Sequence, residues 1–204
     1  MNALKTLIAV CALAITVVGV ADAQEANRPN WKVGDTWVYK TKYGSIYTYK
    51  VVAEQSDSYK VRLIRSIGKE SVLVFDRDGN LLMQDGRRFV PKSDVYHFPL
   101  RVGESYTGVE FSFPHPRKAD ITVKMSVKVT GIAPEKVTVP AGTFTALRID
   151  TEQPYQLSDG YANLMQVTYW YVPDVGRYVK YKMFDYGRPT DNEETELVSY
   201  KRGE

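Results

Sequence analysis

The sequence predicts an all-β fold in which an antiparallel curved sheet forms a sandwich or a half-open barrel, with little helix. Three observations predict it. Short stretches of alternating apolar and polar residues are separated by turn-forming residues at short intervals. No stretch of about twelve residues keeps a persistent helical period. Tyrosine, which favours strands, occurs 15 times, and aromatic residues make up 12% of the chain.

Residues 1–23 have the three parts of a secretory signal peptide. Lys5 supplies the positive charge, residues 7–20 are almost all apolar, and residues 21–23 match a small-residue cleavage site. The apolar run is shorter than the roughly 20 residues needed to span a bilayer. We therefore expect residues 24–204 to form a single β-domain without a transmembrane span, located in the periplasm of a Gram-negative-type bacterium or secreted.

The single cysteine and the charge balance exclude several classes of function. Cys11 lies inside the signal peptide, preceded by Val10, and the apolar run continues past it, so it does not match an acylation site. The mature chain then has no thiol, which excludes disulfides, thiolate catalysis and cysteine-ligated zinc. The net charge is +3 and charges of both signs are interleaved. We expect no nucleic-acid partner, because such a partner requires a clustered basic face.

The first half of the mature chain contains successive strand and turn signals. Residues 55–58 and 76–80 are polar turns between apolar runs, and both predict hairpins. The second turn, DRDGN, resembles the start of a calcium loop but lacks glycine at its sixth position and glutamate at its twelfth. We therefore predict a turn without a metal. The strands predicted in this half are 36–42, 46–53, 59–67, 70–75, 81–84 and 87–90.

A connection near the midpoint precedes a segment that repeats an earlier one. Residues 102–106 (VGESY) follow the order of residue types in residues 33–37 (VGDTW), which suggests an internal duplication. The connection itself covers residues 91–99. The segments that could form a short helix are 91–96 and 154–160.

The clearest strand of the second half is residues 121–129. Its odd-numbered positions are all apolar and its even-numbered positions are all polar, which predicts an antiparallel sheet with one buried face. Residues 137–149 predict a strand, a corner and a second strand, because Pro140 removes a ladder donor and Gly142 can adopt a positive φ. The remaining predicted strands are 104–113, 164–171, 177–184 and 195–200, the last at an edge of the sheet.

Side chains suited to catalysis are scarce. His97 and His115 are the two histidines, and neither belongs to a zinc-binding spacing. Residues 103–108 (GESYTG) are one residue too long for a serine nucleophile elbow. We predict no catalytic residues, no metal site and no cofactor. A hydrolase that uses His97 or His115 as a general base is the remaining enzymatic alternative.

Aromatic residues are the candidate ligand-binding residues: Trp37, Tyr39, Tyr169, Trp170 and Tyr171. The last three are consecutive in one predicted strand, so they must point to both faces of the sheet. Rings on a concave sheet can line an acyl-chain cavity or stack on sugars. They can also fill an ordinary β core, since aromatic residues are common in strands.

Two segments resemble a known bacterial family. Residues 137–144 (VTVPAGTF), followed by LRI at 147–149, and residues 170–180 (WYVPDVGRYVK) resemble an exported domain of unknown function, akin to the TapB-like proteins. That group is similar in outline to the LolA/LolB-like periplasmic lipoprotein carriers, which hold acyl chains in an apolar groove. The resemblance implies export, a β fold and no catalytic residues. Unlike many relatives, this chain has no lipobox cysteine.

These observations favour a soluble periplasmic or secreted β-protein that binds an apolar or amphipathic partner. A lipid, a lipoprotein or another envelope protein would suit it. The alternative is a glycan-binding module in which exposed rings, Trp170 among them, stack on sugars.

Overall fold

The computed structural model describes residues 25–118 and 120–203, and it is nearly all β. This confirms the predicted fold class. The first eight strands are β1 (Glu25–Ala26), β2 (Thr36–Thr41), β3 (Ile46–Glu54), β4 (Ser58–Arg65), β5 (Glu70–Asp76), β6 (Leu81–Gln84), β7 (Arg87–Arg88) and β8 (Leu100–Arg101). The others are β9 (Tyr106–Thr107), β10 (Phe111–Pro114), β11 (Thr122–Met125), β12 (Lys128–Val139), β13 (Gly142–Leu157), β14 (Ala162–Val172), β15 (Arg177–Asp185) and β16 (Glu193–Lys201). A 3₁₀ turn covers Pro189–Asp191. No helix in the described segments has the length and hydrophobicity that a membrane span requires. The predicted signal peptide lies outside the described residues.

Fourteen strands form one sheet that curls into a nearly closed barrel. The strand order is β10-β11-β13-β14-β15-β16-β2-β3-β4-β5-β6-β7, and β12 pairs with both β13 and β9. The two ends approach each other where Val90, just after β7, pairs with Ser112 of β10 through backbone hydrogen bonds of 2.8 and 2.9 Å. Strands β1 and β8 form a separate two-stranded sheet. The pairing of Val90 with Ser112 satisfies backbone groups at the two ends of the large sheet, which would otherwise be open strand edges.

The segment predicted as strand, corner and strand is a long antiparallel hairpin. Strands β12 and β13 pair as far as Val139 and Gly142, so Pro140 and Ala141 form a two-residue loop. Gly142 has φ of +137°, a conformation that favours glycine. The Ala141 amide donates to the carbonyl of Leu197 at 3.0 Å. The tip of the hairpin therefore contacts β16.

The prediction that the last strand lies at an edge is wrong. Strand β16 pairs with β15 on one side and with β2 on the other. Leu197 in its centre has no exposed surface. The strand is internal because β2, from the start of the domain, continues the sheet beyond it.

Two predicted strands are interrupted. Segment 104–113 divides into β9 and β10, and segment 121–129 divides into β11 and β12. Gly108 lies beside both breaks. Its amide donates to the carbonyl of Val127 at 2.8 Å, and a Cβ at Gly108 would lie 2.5 Å from the carbonyl oxygen of Asp94. Asp94, in the midpoint connection, therefore packs against Gly108 at the point where a regular strand would continue.

Neither helix candidate forms a helix. Residues 154–157 belong to β13, where Pro154 is opposite Leu164 of β14. Residues 91–96 are irregular, because the Asn80 side chain fixes them. Its Oδ1 accepts from the amides of Val95 and Tyr96, each at 2.9 Å.

Residues 33–37 and 102–106, the two segments of similar sequence, share a turn but not the strand that follows it. Gly34 and Gly103 have φ of +96° and +84°, so both turns use the left-handed region. The first segment leads into the six residues of β2, and the second into the two residues of β9. The suggested duplication is therefore limited to the turn.

Candidate functional site

Two adjoining cavities lie between the walls of the curved sheet. Their volumes are about 270 Å³ and about 370 Å³. The linings share four residues: Phe75, Leu81, Arg177 and Tyr178. We call the first the apolar cavity and the second the polar cavity, after the side chains that line them.

The apolar cavity is lined mainly by alternating residues of several strands. Phe111 and Phe113 of β10 point to the same side because strand side chains have a period of two. Phe89 stacks on Phe113 with ring centroids 4.6 Å apart. Gln153 is polar, but its Nε2 donates to the Thr151 hydroxyl at 3.0 Å. The other main contributors are Val95, Tyr96, Met125, Val127, Tyr169 and Tyr171. This lining suits a hydrocarbon chain.

The polar cavity has more hydroxyl and charged groups. Its lining includes Arg65, whose Nη1 donates to the Ser71 hydroxyl at 2.7 Å, and Glu193. Burial raises the pKa of Glu193, and the nearby charge of Lys42 partly opposes this shift. The tyrosines of this lining are Tyr39, Tyr47, Tyr49, Tyr178 and Tyr181.

Arg177 lies where the two cavities meet, with 7% of its surface exposed. Its guanidinium is 4.0 Å from the ring centroid of Tyr49, and five other rings lie within 6 Å. The structure gives it no salt bridge within residues 25–118 and 120–203. Burial acts to lower the pKa of Arg177, but the phenols of Tyr178, Tyr39 and Tyr49 raise it further than burial lowers it. The side chain is therefore a buried cation.

Three of the aromatic residues singled out in the sequence line these cavities. Tyr169 and Tyr171 line the apolar cavity, and Tyr39 lines the polar cavity. The Tyr39 hydroxyl donates to the carbonyl of Tyr178 at 2.6 Å. Burial raises the pKa of Tyr169 to about 12, so its hydroxyl stays protonated at neutral pH.

The two tryptophans of that set lie elsewhere. Trp37 is fully buried beside the cavities, and its Nε1 donates to the carbonyl of Val175 at 3.0 Å. Trp170 is on the face opposite to Tyr169 and Tyr171, as the consecutive positions require. It is 8% exposed, and its Nε1 donates to Glu135 Oε1 at 3.0 Å. Neither indole lines a cavity.

The two histidines are also outside the cavity linings. His97 Nε2 is 2.9 Å from Asp94 Oδ2, and its ring stacks on Tyr106 with centroids 4.2 Å apart. His115 Nδ1 accepts from the amide of Arg117 at 3.1 Å. Slight burial and the charges of Lys118, Arg188 and Arg117 lower its pKa. Within the described part of the chain, no three side chains of metal-ligating type are grouped together.

Arg177 was not identified from the sequence. It is one of 27 lysines and arginines, and nothing in its neighbours distinguishes it from a surface residue. Phe111 and Phe113 could have been found, because they alternate with Ser112 and Pro114. The side chains from residues 89–96 depend on the path of an irregular connection, which periodicity does not describe.

We expect Glu193→Gln to remove part of the pH dependence of stability. An acid whose pKa is raised on folding binds more protons in the folded state, so its contribution to stability falls as pH rises above its unfolded pKa. The free energy of unfolding of the variant should exceed that of the unmodified protein at about pH 8, and the gain should shrink towards about pH 4. Urea denaturation across this range measures it; an equal gain at both ends contradicts the assignment.

No known family model matches the sequence, and no curated protein matches it significantly. Solved structures match the fold. A provisionally assigned lipoprotein from Parabacteroides distasonis has a TM-score of 0.51 and 14% identity, with 86% of this chain and 99% of that chain covered. At this identity the likeness extends to the fold alone.

Two further solved structures have lower TM-scores. A provisionally assigned exported protein with a YmcC-like fold from Bacteroides fragilis has a TM-score of 0.45 and 17% identity, covering 87% of this chain and 100% of that chain. The hypothetical lipoprotein YmcC from Escherichia coli has a TM-score of 0.45 and 11% identity, covering 83% and 85%. The resemblance to TapB-like proteins and to the LolA/LolB-like carriers stays a prediction.

Proposed function

We propose that this chain is an exported β-protein that holds the apolar part of an amphipathic partner in the apolar cavity of its barrel. The partner is a lipid or the acyl chain of a lipoprotein. The observation on which this rests is the cavity itself, whose walls combine phenylalanine rings with aliphatic side chains. Ligand cavities of small-molecule-binding proteins have this composition.

The size and position of the cavities support the proposal. The apolar cavity of about 270 Å³ adjoins a polar cavity of about 370 Å³, so an apolar chain and a polar head group have neighbouring compartments. A tightly packed β core has few voids larger than a water molecule. The two cavities are therefore larger than the voids that a tightly packed β core leaves.

Export is supported by the signal-peptide pattern of residues 1–23. The names of the similar solved structures, which include an exported protein and lipoproteins, agree with an extracytoplasmic location. We propose the periplasm as that location, with residues 24–204 as one mature β-domain. A lipid carrier or receptor in the envelope would need such a location.

The glycan-binding alternative has less support. Sugar stacking needs an accessible ring face, whereas Trp170 is 8% exposed and its indole nitrogen is hydrogen-bonded to Glu135. A hydrolase would need a reacting group beside His97 or His115, and neither histidine lines a cavity. No specific contact favours either function over lipid binding.

Native mass spectrometry of protein purified without detergent from a bacterial periplasm tests the proposal. We expect a fraction of the molecules to carry a lipid-sized mass, and the delipidated protein to take up a fluorescent fatty acid. Repeated absence of bound lipid, together with no uptake of the fatty acid, would overturn the proposal.

A further inference from the structure

The apolar cavity is lined by buried polar atoms that have no hydrogen-bond partner among residues 25–118 and 120–203. Four buried side-chain nitrogen or oxygen atoms in the described segments have no hydrogen bond, and three of them belong to Arg177 (Nε and Nη1) and Tyr171 (the hydroxyl). Both side chains line the apolar cavity. The fourth atom, Asp78 Oδ1, has Arg28 Nε at 3.4 Å. Because buried polar atoms in native proteins are nearly always hydrogen-bonded, this concentration at one cavity indicates a missing partner.

The charge of Arg177 requires compensation. A guanidinium is protonated at every physiological pH, and a buried charge without a counterion is strongly unfavourable. The six surrounding rings stabilise the cation through their faces, with Tyr49 nearest at 4.0 Å. However, the donors of a guanidinium lie in its own plane, and Nε and Nη1 of Arg177 have no acceptor among the described residues. Glu193 is the single carboxylate in the two linings, and no salt bridge joins it to Arg177.

The guanidinium reaches the cavities from an irregular part of the sheet. Arg177, the first residue of β15, is opposite Val172, the last residue of β14. A register shift between Trp170 and Tyr171 marks a bulge in this ladder. Bulges re-aim side chains near binding sites.

We propose that Arg177 binds the oxyanion of an amphipathic ligand, a carboxylate or a phosphate, whose apolar chain lies among Phe111, Phe113 and Met125. This proposal rests on the proposed function and specifies the head group. A guanidinium can donate two parallel hydrogen bonds to either oxyanion. A neutral head group would leave the charge of Arg177 uncompensated.

The first test uses the unmodified protein and ligands that differ only in head group. Dodecanoate, monododecanoyl lysophosphatidic acid and dodecanol compete with a fluorescent fatty acid at about pH 8, where the carboxylic acid is ionised. We expect at least one anion to bind at least about tenfold more tightly than dodecanol, since hydrogen bonds to charged groups have this effect. The stronger of the two anions identifies the head group as carboxylate or phosphate.

Two variants test the assigned residue. Arg177→Lys keeps the charge but loses the planar fork of donors, so the anion should bind severalfold more weakly while dodecanol binding stays the same. Arg177→Met removes the cation, and the preference for the anion over dodecanol should disappear. The matched control is Arg62→Met, which removes an arginine whose side chain is 51% exposed on β4. It should keep the preference.

The outcomes separate this proposal from the proposed function. Equal affinity of the unmodified protein for both anions and for dodecanol would overturn the oxyanion site and leave lipid binding standing. Absence of binding for all three ligands would overturn both. If Arg177→Met does not fold, the ligand comparison on the unmodified protein and the Arg177→Lys variant still decide. An anion preference that both variants retain would also overturn the assignment.

Discussion

Met125→Trp is expected to weaken fatty-acid binding by at least about tenfold. Met125 lines the apolar cavity from β11 and packs near Phe111, its opposite residue on β10. An indole at this position would occupy much of a space of about 270 Å³. A loss of that size corresponds to about 1.4 kcal/mol of binding free energy. Displacement of a fluorescent fatty acid measures the affinity.

Lys124→Trp is the matched control, because it introduces the same ring at the next residue of the strand. The Lys124 side chain is 61% exposed and points to the outer face. This variant should bind the fatty acid as the unmodified protein does. If both variants bind normally, the acyl chain does not occupy the apolar cavity. Circular dichroism establishes that Met125→Trp keeps the β fold, since overpacking costs about 1–3 kcal/mol.

Trp37→Ala is expected to lower the free energy of unfolding by about 3–5 kcal/mol. The Trp37 side chain is fully buried, its ring centroid is 5.3 Å from that of Trp31, and its Nε1 donates to the carbonyl of Val175. Removing the indole leaves a large cavity and removes one of the two donors to the Val175 carbonyl, which still accepts from Arg202 Nη1 at 3.0 Å. Urea denaturation measures the change.

Tyr43→Ala is the control for this prediction, because Tyr43 is 72% exposed just after β2. Its effect should stay within about 0.5 kcal/mol, as for most surface substitutions. A loss below about 1 kcal/mol for Trp37→Ala would show that the indole is not an essential part of the core. The sequence placed Trp37 among ligand-binding residues, whereas its position in the structure favours a role in packing.

The fold class and most strands could be predicted from the sequence because each depends on local patterns. Period-two alternation located β11 and the start of β12, and Asp-Gly and Pro-Ala-Gly turns located the hairpins. The order of strands depends on contacts distant in sequence. The edge position assigned to residues 195–200 was wrong because β2, more than 150 residues earlier, pairs with β16.

The candidate site was predictable only in part. Tyr169 and Tyr171 line the apolar cavity because consecutive aromatic residues in a strand must place alternate rings on its inner face. Arg177 was missed because a single arginine in a sequence is expected to be exposed. Its burial follows from six rings that come from several separate parts of the chain. No local pattern contains that information.

Nuclear magnetic resonance with an isotope-labelled fatty acid tests the central claim most directly. Nuclear Overhauser effects between the acyl chain and protein methyl groups report which surface the chain contacts. We predict effects to the methyl groups of Met125 and Val127, which line the apolar cavity. Effects confined to exposed methyl groups, such as those of Ile67 and Val72, would contradict a ligand-binding lumen.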